Sequence, residues 1–255
     1  MRLFKAEMGA PQMATGIAYC GVPPVPGELT ARFNGDPFLI GALVVVAGIH
    51  YLACRRAGRP VIAALTGWAI AAGALLSPLC ALSVALFSAR IGQHMILLLV
   101  AAPLLATALP RPSGRGLWPA TAAFFAALWF WHMPAPYDAT LASTPVYWAM
   151  HVSLFGTGVW LWRELLGSPR ARTLQALAAG TISSVQMGML GAVLALASHP
   201  MFTAHLFTSQ AWGLTPLADQ QLGGVLMWVP GIALFLGVSL RSFEQLWHTL
   251  ERPAA

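Results

Sequence analysis

The chain of 255 residues is 58% hydrophobic and only 9% charged, with a formal net charge of +6. A soluble domain carries about 25% charged residues, so there is too little polar surface here to cover a water-soluble globule, and the same figures exclude a disordered chain, a collagen and a disulfide-stapled secreted scaffold. The positive balance is no nucleic-acid footprint, because Lys5 is the only lysine and the arginines are scattered rather than gathered into a stripe.

A helix needs roughly 20 largely apolar residues to cross the hydrocarbon. Seven stretches meet that need, at about 37–54, 61–85, 91–109, 117–133, 145–165, 174–197 and 222–240. They predict an all-α polytopic membrane protein, a bundle of seven transmembrane helices over 37–240. Residues 1–36 form a tail before it and 241–255 a tail after it. The apolar run from Ala14 to Tyr19 is too short for a secretory signal, so the first tail reads as an irregular leader. Gly58-Arg59-Pro60, Pro110-Arg111-Pro112-Ser113-Gly114, Pro134-Ala135-Pro136 and Gly167-Ser168-Pro169 all resist helix continuation. Between the second and third spans, Leu86 to Arg90 offers little punctuation.

Arginines near the span ends set the orientation. Arg55, Arg56 and Arg59 follow span one; Arg111 and Arg115 follow span three; Arg163, Arg170 and Arg172 follow span five; Arg241 and Arg252 follow span seven. The alternate loops hold Arg90 alone. The arginine-rich side is cytoplasmic, which puts the N-terminus outside and the C-terminus inside. Span six carries small residues at helical spacing, Gly180, Ser184, Gly188, Gly191 and Ala195. Such a stripe lets backbones approach closely and predicts a place in the bundle interior.

Ionisable groups at membrane depth mark functional sites by default. Five of the seven histidines fall on the external side: His94 one turn into span three, His132 at the end of span four, His151 early in span five, and His199 and His205 in the loop before span seven. Asp219, Gln220 and Gln221 stand at the mouth of span seven, and Cys80 lies near the outer end of span two. Met95, Met133, Met150 and Met201 each neighbour one of the histidines. Imidazole, thioether and thiolate together suit copper, with Cu(I) favouring the softer members. The bland reading stands beside this one: His and Trp both favour the headgroup region, where Trp118, Trp129, Trp131, Trp148, Trp160, Trp162, Trp212 and Trp228 would form ordinary belts. His50 and His248 read as structural. Cys20, Cys54 and Cys80 fall at separate places and suggest no disulfide framework. Arg90 shares a helical face with His94 and would repel a cation unless Asp219 pairs with it across the bundle. No nucleophile–base pair and no phosphate-cradling loop is present, so an enzyme is not expected.

Particular strings carry a family resemblance. Phe87-Ser88-Ala89-Arg90-Ile91-Gly92-Gln93-His94-Met95, with Ala101-Ala102-Pro103-Leu104-Leu105, resembles the third-span signature of the CtaG-like cytochrome c oxidase assembly factors. Trp131-His132-Met133-Pro134 with Tyr137-Asp138 is similar to their Trp-His-x-Pro element. Pro216-Leu217-Ala218-Asp219-Gln220-Gln221-Leu222-Gly223-Gly224, with Met227-Trp228-Val229-Pro230-Gly231, resembles their last-span signature. The resemblance implies a plasma-membrane factor that matures a haem-copper terminal oxidase and binds or relays copper near the periplasmic face. It implies oxidase subunits or a periplasmic copper donor as partners, besides the lipid bilayer. His94, His132 and His151 fall on the family's histidine positions and Asp219 on its acidic one, while Arg90 and Tyr147 stand where the family usually or often has histidine. The ligand set expected for Cu(I) is His94, His132 and His151, with Met95 or Met133 as thioether and Asp219 orienting the ligands. Two other readings stay open: a membrane haem protein with two of these histidines as axial ligands, and an interaction scaffold without metal.

Overall fold

The computed structural model describes residues 18–112, 115–168 and 172–250, and every regular element among them is helical. Each of the seven expected stretches contains helix, the second of them in two pieces broken at Ser77-Pro78. In chain order the helices are α1 (Pro37–Arg56), α2 (Val61–Leu76), α3 (Leu79–Ala85), α4 (Phe87–Thr107), α5 (Leu117–Trp131), α6 (Pro134–Ala142), α7 (Thr144–Gly167), α8 (Thr173–Ala195) and α9 (Pro216–Leu250). By length and apolarity α1, α4, α8 and the Pro216–Glu244 part of α9 qualify as membrane spans. A fifth qualifies if α2 and α3, bent by 47°, count as one. Helix α5 is apolar but only 15 residues long, about 22 Å at 1.5 Å per residue against a hydrocarbon core near 30 Å. The expected tail from 241 begins as a continuation of α9 rather than as loop. Residues 1–17 and 251–255, with Arg170 of the orientation argument, and the His248 side chain lie outside the described residues.

Local chemistry explains most of the joints. Asp36 accepts from the amide of Phe38 at 2.9 Å and Pro37 opens α1, a capped start that needs no tertiary help. Gly58, at φ +60°, and Pro60 turn the chain into α2. The break before α4 is different. Leu86 is extended (φ −127°, ψ 131°), and neither Gly nor Pro is near it. The first amides of α4 are satisfied by Asp219, which accepts from Phe87 N at 2.7 Å, Ser88 N at 3.0 Å and the Ser88 hydroxyl at 2.5 Å. The negative charge also suits a helix N-terminus.

Within α4, Ile96–Ala101 is wound as π-helix. In that register the carbonyl of Leu98 looks to residue 103, which is Pro and has no N–H. Trp162 supplies the missing donor: its Nε1 lies 2.7 Å from Leu98 O. Trp162 is therefore buried, 3% exposed and stacked on Phe235, and is no member of an interfacial belt.

The small-residue stripe of α8 packs against α9, as its spacing predicts. A methyl group on Gly224 would sit 2.5 Å from the Ala195 nitrogen and 2.6 Å from the Gly191 carbonyl, and one on Gly223 would sit 2.5 Å from the Phe87 ring. The two adjacent glycines thus admit two different neighbours, the backbone of α8 and the start of α4. Gln220 accepts from Met201 N and donates to Leu194 O, while Gln221 donates to Ala197 O. The Asp-Gln-Gln-x-Gly-Gly string is a joint that ties α9 to α8, to the following loop and to α4.

Residues 18–36 fold back over one end of the bundle, called the capped end below. Cys20 and Cys80 form a disulfide with their Cα atoms 5.4 Å apart, which overturns the expectation of unpaired cysteines. The pairing depends on the fold-back, which spacing along the chain does not reveal. Asn34 donates to Leu75 O, and Trp212 Nε1 donates to Pro24 O. Cys54 remains free, its thiol donating to Ala108 O.

Candidate functional site

Three helices deliver three buried imidazoles to the capped end. His94 lies two turns into α4, His132 ends α5 as its C-cap, and His151 lies two turns into α7. They are 2%, 4% and 4% exposed, so none reaches solvent. The ring centroid of His94 is 5.2 Å from that of His151 and 6.1 Å from that of His132.

Hydrogen bonds fix two of the three tautomers. His132 Nδ1 lies 2.6 Å from the Leu128 carbonyl, and His151 Nδ1 lies 3.0 Å from the Tyr147 carbonyl. A carbonyl only accepts, so Nδ1 carries the proton and Nε2 keeps its lone pair. Both Nε2 atoms, and both ring nitrogens of His94, are buried without a partner. One such orphan costs about 1–3 kcal/mol, and here four gather in one place. An imidazole with Nδ1 tied to a carbonyl and Nε2 free is also the form in which histidine binds metals. The rings are neighbours rather than a closed coordination set: among the described residues, no group of three or more His, Cys, Asp or Glu side chains could hold a metal ion as placed.

The other expected residues scatter. Met95 is buried in the main core, while Met133 is 50% exposed. Asp219 touches none of the histidines through its hydrogen bonds; both its oxygens serve the start of α4, the helix that carries His94. His199 is exposed and bonded to Ser198. Cys80 is committed to its disulfide. His50 accepts from Trp68 Nε1 at 3.1 Å, a structural role as expected. His205 is buried in the loop before α9, where its Nε2 lies 2.7 Å from the Tyr137 hydroxyl. Burial holds its imidazole down to about 3 and pushes the Tyr137 phenol up, so the hydroxyl donates to a neutral ring.

Arg90 does not pair with Asp219. Its Nε donates to Ser83 O at 3.3 Å and one terminal nitrogen to Thr140 Oγ1 at 2.5 Å. The guanidinium carbon lies 5.4 Å from the ring centroid of Tyr137 and 5.7 Å from that of Tyr147, within cation–π range. No carboxylate among the described residues forms an ion pair with Arg90, so this buried cation is met by neutral acceptors and ring faces. Tyr147 in turn packs 4.1 Å from the ring of His151. Arg90 and Tyr147 are therefore in contact beside the histidines. Sequence reasoning gave Tyr147 no role; its only signal is its position one turn before His151.

A bundle of apolar helices holding imidazoles with free nitrogens at one end defines a polytopic helical membrane protein with a buried polar site. The chain matches the family model of the cytochrome c oxidase caa3 assembly factor over residues 46–119 and 116–249, and it belongs to that family. No curated protein and no solved structure matches it.

Proposed function

We propose that this protein is a non-catalytic factor for maturing a haem-copper terminal oxidase, and that it receives or relays Cu(I) at His94, His132 and His151. The reading has seven crossings of the plasma membrane, with the capped end and the N-terminus outside. Two features support that orientation. Most of the arginines at the span ends, Arg55, Arg56, Arg59, Arg111, Arg115, Arg163 and Arg241 among them, collect at the opposite end, against Arg32 and Arg90 at the capped one, and a disulfide belongs to an oxidising compartment. The observation that carries the copper reading is the set of unpartnered nitrogens on three helices. A soft cation satisfies them together, and neutral imidazoles release it readily to an oxidase subunit or receive it from a periplasmic donor. Met95 or Met133 supplies a thioether, and Asp219 acts through the helix that it caps.

Copper analysis of the purified protein under reducing, oxygen-free conditions tests this. The wild type should retain roughly one Cu(I), and a His94→Ala/His132→Ala variant should lose it while keeping its helical circular dichroism. Equal copper in both removes the assignment. The haem reading is disfavoured by the edge-to-face packing of the rings, which leaves no slot for a macrocycle between them; a Soret band on the purified protein would restore it. If the double variant still matures the oxidase fully, the scaffold reading replaces copper handling.

A further inference from the structure

The segment over the histidine site is fastened there by groups suited to letting go. Tyr19 stacks on Tyr147 with ring centroids 4.8 Å apart and meets Trp148 edge-on at 5.0 Å. Those two rings lie 4.1 Å and 6.1 Å from that of His151. The way from the capped end to His151 thus passes under Tyr19, and Cys20 is the next residue. The sulfurs of the disulfide are not equally reachable: Cys20 is partly exposed, whereas Cys80 is 1% exposed. Asn34 Nδ2 donates to the buried sulfur at 3.6 Å, while the Tyr147 hydroxyl is shared between the two, 3.5 Å from Cys20 Sγ and 3.9 Å from Cys80 Sγ.

We propose that the Cys20–Cys80 disulfide is an exchangeable clasp that governs access to the histidine site, and that its partner is an external protein or small molecule bearing two thiols. The inference rests on the reading of the three histidines as the copper-receiving site. A thiolate of the reductant bonds to Cys20 Sγ as the bond to Cys80 breaks, and Cys80 leaves as a thiolate stabilised by the Asn34 amide. The second thiol of the reductant then displaces Cys20. Two electrons and two protons pass to this chain, which gains two thiols, and the reductant ends as a disulfide. What then holds Tyr19 down is its hydroxyl, donated to Asp36, together with ring stacking. The covalent closure of a 60-residue separation is gone.

The test uses the full chain in detergent and three readouts. Alkylation followed by mass spectrometry gives the fraction of Cys20 and Cys80 reduced by dithiothreitol, carbethoxylation of His151 reports access, and Cu(I) transfer from a chelator reports uptake. Reduction should raise both the His151 modification rate and the copper uptake rate about tenfold. Cys20→Ser should match the reduced wild type without any reductant, and Asn34→Ala should slow reduction several-fold. Unchanged His151 modification after complete reduction overturns the clasp, as does Asn34→Ala reduced as fast as the wild type. If His151 opens on reduction but neither form binds copper, the clasp stands and the copper reading falls.

Discussion

Asp219 shows how a single side chain can serve a site from which it stands apart. Its carboxylate takes three hydrogen bonds at the start of α4, and losing a charged cap of this kind costs about 2 kcal/mol or more. Asp219→Ala should lower the thermal midpoint clearly, and Asp219→Asn, which keeps one acceptor oxygen, should lower it less. His205 makes a second prediction at this scale. Its folded value near 3 lies far below the ordinary 6.5, so between those limits the unfolded chain binds a proton that the folded one refuses. Stability therefore falls as pH drops from about 6.5 toward 3. Asp36, held below its ordinary value by the Tyr19 hydroxyl, adds a loss only at the acid end of that window. Protection factors over 198–215, corrected for the intrinsic pH dependence of exchange, should fall from pH 7 to pH 5 in the wild type and change little in His205→Gln. The sequence made the histidine trio legible through its one-sided placement, because ionisable residues in apolar spans are few. It left the role of Asp219 hidden, since a cap delivered across 132 positions leaves no local motif. Cys20 was hidden for the same reason.

At the scale of elements, the joint between α8 and α9 decides what can be changed. Gly224 faces backbone atoms that cannot move aside, so Gly224→Ala should cost about 1–3 kcal/mol. Gly73, inside α2 with open space around its Cβ position, is the control: Gly73→Ala should be neutral or stabilise by up to about 1 kcal/mol. Thermal unfolding in one detergent compares the two. Element positions were legible because apolar length and Gly/Pro punctuation are local properties, as were the α8 stripe and the capped start of α1. The break at Leu86 was not, because its cause is the distant carboxylate rather than a breaker. Trp162 was misplaced for a related reason: its indole answers a carbonyl that Pro103 leaves unpaired, a need visible only once α4 and α7 are side by side.

For the whole molecule, the distribution of contact is uneven. Helix α1 packs mainly on α2 and presents Phe38, Val44 and Ile49 outward, a face suited to lipid rather than water. The interior belongs to α4, α5, α7, α8 and α9, and the histidine site belongs to the first three of these. That arrangement has a consequence for how the protein is made. The ribosome must deliver a further 132 positions after Phe87 before the residue that completes the helix bearing His94 emerges. Early segments can enter the bilayer one after another, yet the pocket cannot be finished until α9 brings Asp219. A nascent chain halted upstream of Asp219 would therefore hold all three histidines but leave the start of the helix bearing His94 uncapped.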